Sequence, residues 1–504
     1  MDLTTILAAV AAVLVPTFMY LHYQYRYSHW KKRGVPHPKP LPLVGNFAFM
    51  ITRSKSFSTA FMDFATPYKE NGYCGVYQFG QPLLLVWDPE MVKQVVTKDF
   101  SSFHDRGLPS HEHDPLSQHL FNLSGTKWRN LRNRLSPSFT SGKLKLMFPL
   151  MRDIGDELNR QVTLDAKKTD SHEVEISALL SRYATDVIGS VAFGIQCNCL
   201  RDQQNEFLEM SKKLFRQSPA QLARLLLELI HPKLGGLLPI KWVFSRVHHF
   251  FVNLIKDTVE YREKNNVERN DFVQLMMQLR TEDLAHVDPE NHIELTYGVM
   301  AAQGFVFFIA GLDNVANTIS FALNKLSVDP ELQQKLADEV RGVLRQHDGE
   351  LTYAALKQMD LLNRVLLEAM RLWSPVGMLI RKCNATTKVG DVVVDKGQMV
   401  FVLTQVAAMD ENQFPEPQRF DPDRHTREAK DARHPYAFSP FGEGPRNCIA
   451  ERFALLEMRL ALALLIRDFV FTPGPRYEPE VELDQKSFFP RPKNGFHLQV
   501  AARV

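Results

Sequence analysis

One cysteine stands in a loop that is rigid enough to present it to a ligand. The run Phe441-Gly-Glu-Gly444-Pro-Arg446-Asn-Cys448 holds two glycines and a proline, which favour a non-helical turn. Apolar residues follow at helical spacing from Ile449, so Cys448 is predicted to lie at a helix N-terminus. The free amides and the dipole of such an end lower the pKa of a thiol. Two chemistries suit this cysteine: thiolate ligation of a metal, and nucleophilic attack assisted by a distant histidine.

Three other motifs precede the loop in the chain. They are Trp128-Arg-Asn-Leu-Arg132, Glu368-Ala-Met-Arg371 and Phe420-Asp-Pro422-Asp-Arg424. A glutamate and an arginine three residues apart on a helix usually form a weak surface ion pair. The Glu368–Arg371 pair is therefore informative about function only through its order and spacing relative to the cysteine loop.

A long apolar segment carries one acidic residue near its middle. Between Glu294 and Asp313 there is no charged residue, so residues 295–326 are either a second membrane span or the central helix of a large core. The polar residues Asp313, Asn314 and Asn317, and the lack of a basic flank, favour the core helix. Gly311 in its interior predicts that another element packs closely against the backbone there.

These motifs together resemble the cytochrome P450 superfamily, whose cysteine loop reads F-x-x-G-x-R-x-C-x-[GA]. The match falls on Phe441, Gly444, Arg446, Cys448 and Ala450, and the motifs W-x-x-x-R, E-x-x-R and F-x-P-x-R follow in the family's order over essentially the whole chain. The resemblance implies a mainly α fold with a minor β sheet. It also implies a haem-thiolate monooxygenase.

The resemblance assigns roles to individual residues. Cys448 would be the axial thiolate of haem b (iron protoporphyrin IX), in a loop shaped by Phe441 and Gly444. Guanidinium groups suit carboxylates, and those expected to pair with the haem propionates belong to Arg132, Arg381 and Arg446. A buried charge network that holds the loop is expected from Glu368, Arg371 and Arg424.

The central helix departs from the family pattern [AG]-G-x-[DE]-T-[TS]. The acid is present as Asp313, but Asn314 replaces the threonine that the family uses in proton delivery, and both are expected to be catalytic. An amide has separate donor and acceptor ends, unlike a hydroxyl. We expect oxygen activation to survive with more leakage to hydrogen peroxide; neutral drift with a compensating water remains open. Two milder departures are His425, where the family often has Phe, and Ala450.

The N-terminus is predicted to cross a membrane. Residues 3–22 are apolar and the basic residues follow at 26–33, an order typical of an uncleaved anchor with a lumenal N-terminus rather than of a cleaved signal. We expect an anchor over residues 1–25, a basic and proline-rich hinge over 26–50, and a cytosolic haem-binding catalytic domain over 51–504. The apolar segment 225–238 is expected to touch the endoplasmic reticulum membrane beside the anchor.

Composition excludes some classes of function. The 504 residues include 60 Lys+Arg and 57 Asp+Glu, a net charge of +3. Such a small excess of basic residues argues against a nucleic-acid partner. Helical periodicity dominates, as over 331–345 and 354–372, and short β signals lie at 83–87, 389–394 and 399–403.

Within the family, the motif sequences most resemble those of the animal microsomal branch, and in particular those of insect enzymes that oxidise plant toxins, insecticides or hormones. That resemblance implies NADPH electrons from an NADPH–cytochrome reductase, with a small electron-donor cytochrome as a further partner. A lipophilic substrate would occupy a pocket lined by Phe305–Phe308, Ile309, Ala310 and Leu312. Two alternatives remain: a reductase-independent enzyme that rearranges peroxides, and a non-catalytic haem-bearing lipophile binder.

Overall fold

The computed structural model describes residues 3–111, 113–214, 224, 227, 245–283 and 293–503, and it is mainly helical, as predicted. The helices are α1 Leu3–Arg26, α2 His29–Lys32, α3 Ala48–Thr52, α4 Phe57–Ala65, α5 Pro89–Lys93, α6 Gly125–Leu135, α7 Ser141–Ala166, α8 Ile176–Ala192, α9 Glu206–Leu214, α10 Ser245–Asn265, α11 Phe272–Asp283, α12 Tyr297–Ser327, α13 Pro330–Arg345, α14 Tyr353–Gln358, α15 Asp360–Leu372, α16 Thr404–Ala407, α17 Arg427–Asp431 and α18 Glu451–Asp468. Short helical turns include a π turn at Gln94–Lys98 and a 3₁₀ turn at Pro422–His425.

The central helix α12 runs through the main hydrophobic core. Among the helices whose side chains the structure describes throughout, it is the one long and apolar enough to cross a membrane, and 61% of its most apolar window is buried inside the domain. The prediction of a core helix is therefore confirmed. A Cβ at Gly311 would collide with Ile188 of α8, and one at Gly304 would collide with Phe193 just after α8. The two glycines allow α8 to lie against the backbone of α12, as the sequence predicted for Gly311.

Three small sheets accompany the helices. The largest has the strand order β1 (Tyr73–Gln78), β2 (Gln81–Val86), β7 (Met399–Val402) and β4 (Leu379–Lys382); β2 and β7 are parallel and the other pairs antiparallel. A second sheet joins β3 (Glu173–Glu175), β9 (His497–Ala502) and β8 (Phe469–Pro473), and β5 (Thr387–Val389) pairs with β6 (Val392–Val394). The predicted segments 83–87 and 399–403 correspond to β2 and β7, whereas 389–394 covers the end of β5, a turn at 390–391 and β6.

One predicted helical stretch is divided in two. The periodic segment 354–372 forms α14 and α15, because Met359 between them adopts a non-helical conformation with ψ 85°. Met359 is buried. The break sets the direction of α15, which carries Glu368 and Arg371.

The region after α1 is packed on the large sheet. Trp30 is fully buried against Gly75 of β1, and its indole Nε1 donates to the carbonyl oxygen of Val76 at 3.0 Å. The Gly75 amide donates to the Pro36 carbonyl oxygen at 2.9 Å. The expected hinge thus has fixed contacts with the folded body. Most of segment 225–238, where contact with the bilayer was expected, lies outside the described residues.

Candidate active site

The cysteine loop has the rigid geometry that its glycines and proline predicted. Gly444 has φ +73°, a left-handed conformation, and a Cβ at this position would overlap the carbonyl oxygen of Val96 in the π turn. Only glycine fits both constraints without strain. The loop closes where the Cys448 amide donates to the Phe441 carbonyl oxygen at 2.8 Å. Helix α18 begins at Glu451, so Cys448 lies just before a helix N-terminus.

Cys448 differs from the other cysteines in its exposure. Its side chain has accessible surface, whereas the other four cysteines are buried, yet it is surrounded by protein atoms. Burial raises the pKa of the Cys448 thiol, and this effect outweighs the hydrogen bond from the Ala450 amide and the charges of Arg132 and Arg106. The expectation that the helix start alone would lower this pKa is therefore wrong: desolvation is the larger effect. Coordination to a metal ion deprotonates a thiol outright.

The three arginines that were predicted to bind the haem propionates are buried to different degrees. Arg446 and Arg381 are 3% and 1% exposed, and Arg132 is half-buried. Arg446 stacks on the Trp128 ring at 3.8 Å, and its Nη2 lies 3.4 Å from a carboxylate oxygen of Asp105. Arg132 donates to the backbone and side-chain oxygens of Asn447, at 2.9 and 2.8 Å. The cysteine loop is thus tied to α6 beside Cys448.

The sequence analysis did not identify a fourth arginine near Cys448, Arg106. Arg106 donates to the carbonyl oxygens of Phe121 and Arg446, both at 3.1 Å, and stacks on the Phe121 ring. Burial lowers its pKa well below the usual value, and Arg381, Arg446 and Arg132 lower it further. No motif flags Arg106, because its partners are remote in sequence.

Among the described residues, the cluster of Arg106, Arg132, Arg381 and Arg446 forms one ion pair with a carboxylate, that of Arg446 with Asp105. Burial lowers the pKa of Arg446 to about 9 and that of Arg381 to about 10. Among the described residues, the buried atoms Arg446 Nη1 and Arg381 Nε have no hydrogen-bond partner. Two carboxylates placed here would satisfy these donors and neutralise the charge. The arginine donors therefore fit the two propionates of haem, and the accessible thiol of Cys448 beside them fits its iron.

The E-x-x-R pair is a buried bidentate ion pair rather than a surface one. Arg371 donates from Nε and Nη2 to the two carboxylate oxygens of Glu368, both at 2.8 Å, and both side chains are fully buried. Burial alone would raise the pKa of Glu368, but the hydrogen bonds from Arg371 and His425 hold it at about 2. Arg424 reaches the same carboxylate less closely, at 3.5 Å. The predicted three-residue network is present, and His425 is a fourth member.

Helix α12 brings Asp313 and Asn314 to its accessible side. Burial raises the pKa of the Asp313 carboxyl, and the charge of Arg491 opposes this shift. Asn314 Nδ2 donates to the Ala310 carbonyl oxygen at 2.8 Å, and Thr318 donates to the Asn314 backbone oxygen at 2.7 Å. Asn314 Oδ1 is buried with no partner among the described residues. The amide thus keeps a free acceptor.

A large open cleft of about 2140 Å³ reaches α12. It is lined by Leu312, Asp313 and Asn317 of this helix and by apolar residues that include Met378, Ile380 and Phe488. The expected lining by Phe305–Phe308 is wrong for Phe305 and Phe308, which pack in a core cluster of aromatic rings around Phe251. Phe251 belongs to α10, which covers this part of α12, whereas Leu312, one to two turns further along the same face, reaches the cleft.

Comparison with known proteins agrees with this site. The cytochrome P450 family model matches residues 35–500. Probable cytochrome P450 6a14 of Drosophila melanogaster is 38% identical over 94% of this chain and 95% of its own length. Cytochrome P450 6a2 of the same species is 36% identical (98% of each chain), and cytochrome P450 6k1 of Blattella germanica is 34% identical (95% of this chain and 94% of its own length). The matched cysteine loop, the buried glutamate–arginine network and this near-complete coverage show that the chain belongs to the cytochrome P450 family of haem monooxygenases.

Proposed function

We propose that this chain is a membrane-anchored monooxygenase that inserts one oxygen atom from O2 into lipophilic substrates, with electrons from NADPH. The proposal rests mainly on the placement of Cys448 beside four buried or half-buried arginines that have one paired carboxylate, Asp105, among the described residues, and on the unpartnered buried atoms Arg446 Nη1 and Arg381 Nε. The relatives in insects support a role in the oxidation of foreign lipophiles such as plant toxins and insecticides, or of hormones.

The residues of the site divide the work of binding and proton delivery. Cys448 would ligate the haem iron, and Arg132, Arg381 and Arg446, together with Arg106, would hold the propionates. Bound haem supplies the one-electron and O2 chemistry. Asp313 is suited to carry protons because burial favours its protonated form.

Substrate binding is supported by the cleft that reaches α12. Its apolar walls include Leu312, Met378 and Phe488, and Asp313 supplies a polar group at one side. Apolar walls with a few polar groups are typical of sites for lipophilic small molecules. We infer that a lipophile enters this cleft and packs against α12.

The proposed membrane anchor is α1. Its 24 residues span about 36 Å, enough for a hydrocarbon core of about 30 Å. Apolar side chains on it are exposed, among them Val13, Leu14, Phe18 and Leu21. With basic residues directly after it, this helix supports an endoplasmic reticulum location, a lumenal N-terminus and a cytosolic catalytic domain over 51–504. An NADPH–cytochrome reductase, with a small electron-donor cytochrome as a further partner, would supply the electrons there.

One observation favours a second function. Asn314 stands where the family pattern has threonine, and its bond to the Ala310 carbonyl oxygen fixes the amide with Oδ1 free. An amide does not change its protonation at neutral pH, so it relays a proton only through water. Rearrangement of a pre-oxidised peroxide substrate needs no such delivery and no reductase.

The product formed per NADPH consumed separates these functions. The haem-loaded protein would be combined with a reductase and a lipophile that shifts its absorbance spectrum. We expect oxidised product at a substantial ratio to NADPH and a higher ratio in Asn314→Thr. Asn324→Ser is the matched control, because Asn324 Oδ1 is also unpartnered among the described residues but lies in the core, ten residues further along α12 than Asn314.

The other outcomes decide against monooxygenation. If nearly all NADPH oxidation in the natural chain yields hydrogen peroxide, and Asn314→Thr restores product formation, then proton delivery is broken in the natural chain. Conversion of a lipid hydroperoxide without NADPH would then establish the peroxide enzyme. A spectral shift with no product under either condition would leave the lipophile binder.

A further inference from the structure

A histidine outside the family pattern contacts the buried glutamate of the charge network. His425 is 1% exposed and ends the 3₁₀ turn Pro422–His425. Its Nε2 lies 2.9 Å from Oε2 of Glu368, whereas Arg424 Nε lies 3.5 Å from Oε1. Arg424 also donates to the Glu416 backbone oxygen at 2.9 Å. The closer partner of Glu368 in this turn is therefore the histidine, not the arginine that the motif predicts.

The carboxylate determines which ring nitrogen of His425 carries the proton. Glu368 is ionised, with its pKa held at about 2, and an ionised carboxylate only accepts hydrogen bonds. His425 Nε2 must therefore donate. The lone pair is then on Nδ1, which is buried and has no partner among the described residues. In this tautomer the one ring N–H has an acceptor, so the neutral ring is compatible with its surroundings.

The same ring touches the segment that leads into the cysteine loop. The centroids of the His425 and Phe438 rings are 5.1 Å apart, with an angle of 48° between the planes. Phe438 lies three residues before Phe441, whose carbonyl oxygen accepts from the Cys448 amide. His425 thus connects the carboxylate on α15 with the base of the loop.

The charges around His425 favour its neutral form. Glu368 and Arg371 face it from α15, Arg424 precedes it in the chain, and Lys430 and Arg433 approach from α17 and the turn after it. Burial lowers the pKa of His425 by more than Glu368 raises it, and Arg433 and Lys430 lower it further. The ring is therefore neutral at neutral pH, and its protonation would bury an Nδ1–H without an acceptor.

We propose that His425 is a positioning residue for the haem-ligating loop: it donates to the second carboxylate oxygen of Glu368 and packs its ring on Phe438, so that the network fixes the loop from two sides. This inference rests on the proposed haem-thiolate function. A phenylalanine, which the family pattern often has here, would keep the ring contact and lose the hydrogen bond.

The proposal implies a pH dependence of definite sign. The folded chain holds His425 neutral, while the unfolded chain takes up a proton below about pH 6.5. The unfolded state therefore binds more protons, and stability of the network falls as the pH falls below about 6.5. A variant without a titratable group at this position loses that part of the pH dependence.

Two variants separate the hydrogen bond from the ring contact. His425→Phe keeps the ring and removes the donor, and His425→Gln keeps a donor and removes the ring. His434→Phe is the matched control, because His434 makes a histidine–glutamate contact of 2.8 Å with Glu90 at the surface. The first measurement is the rate at which the reduced carbon monoxide complex changes from the thiolate to the neutral-thiol spectrum between pH 7.5 and 5. The second is the thermal unfolding of the haem-free chain over the same range.

We expect His425→Phe to convert about tenfold faster than the parent at pH 7.5, because a bond to a charged group is lost. It should also lack the extra loss of stability below pH 6.5. His425→Gln should convert at nearly the parental rate, and His434→Phe should match the parent. Parental behaviour of His425→Phe, or equal acceleration in His425→Gln, would overturn the proposal. If the parent itself gives no thiolate spectrum, the haem-thiolate function fails, and unfolding of the haem-free chain still tests His425.

Discussion

Adding one methyl group at Gly444 should displace the haem-ligating loop. Gly444→Ala introduces two costs. The left-handed backbone, with φ +73°, costs about 1–2 kcal/mol for a residue with a Cβ. The new Cβ also lies well under 3.0 Å from the Val96 carbonyl oxygen, which is rigid backbone. The loop must move by about 1 Å to restore a normal contact, and a misplacement of that size costs roughly 100-fold in rate.

Gly397→Ala is the control that isolates the clash. Gly397 has φ +90°, and no atom lies within 4 Å of a Cβ placed there, so alanine at this position introduces the backbone strain without a clash. Both variants would be assayed for haem per chain, for the reduced carbon monoxide spectrum and for thermal unfolding. We expect Gly397→Ala to lose some stability and keep parental haem content, while Gly444→Ala loses most of its thiolate haem. Parental haem content and spectrum in Gly444→Ala would refute the reasoning.

The remaining predictions concern the ligand, the charge network and the arginine cluster. Cys448→Ser should abolish the reduced carbon monoxide spectrum of a thiolate haem, and a retained spectrum would remove Cys448 as the ligand. Glu368→Gln should destabilise the fold by about 3–5 kcal/mol in denaturant unfolding, since Arg371 is left as an uncompensated buried charge. The stability that Glu368 contributes is full above about pH 4.5 and should be lost as the pH falls towards 2, because its pKa is lowered to about 2 in the fold. Arg446→Gln should weaken haem retention in transfer to an acceptor protein, because a buried guanidinium beside Cys448 is lost, and parental retention would remove Arg446 as a propionate ligand.

The sequence predicted the parts of the site whose signals are local. The loop around Cys448 depends on Gly444 and on the start of a helix a few residues later, and both are visible in one short stretch. The core position of α12 followed from its polar residues and from Gly311, against which Ile188 packs. Backbone conformation and helical periodicity are set by neighbouring residues, so a sequence reports them directly.

Other features required contacts between distant segments. The Phe305 and Phe308 rings were expected in the pocket but lie in the core, because Phe251 of α10 packs on that part of α12. Arg106 joins Arg446 across 340 residues of sequence. No local pattern marks such a partner, because the chain carries no record of which buried donor meets which acceptor.

The sequence by itself therefore determined the family, the mainly helical fold, the loop that presents Cys448 and the position of the acid in α12. Tertiary structure alone decided the electrostatics: which arginines gather near Cys448, which of Arg424 and His425 lies closer to Glu368, and whether burial or the helix end has the larger effect on the pKa of Cys448. The physical reason is that hydrogen bonding and desolvation act over a few ångströms in space, and those neighbours come from segments far apart along the chain.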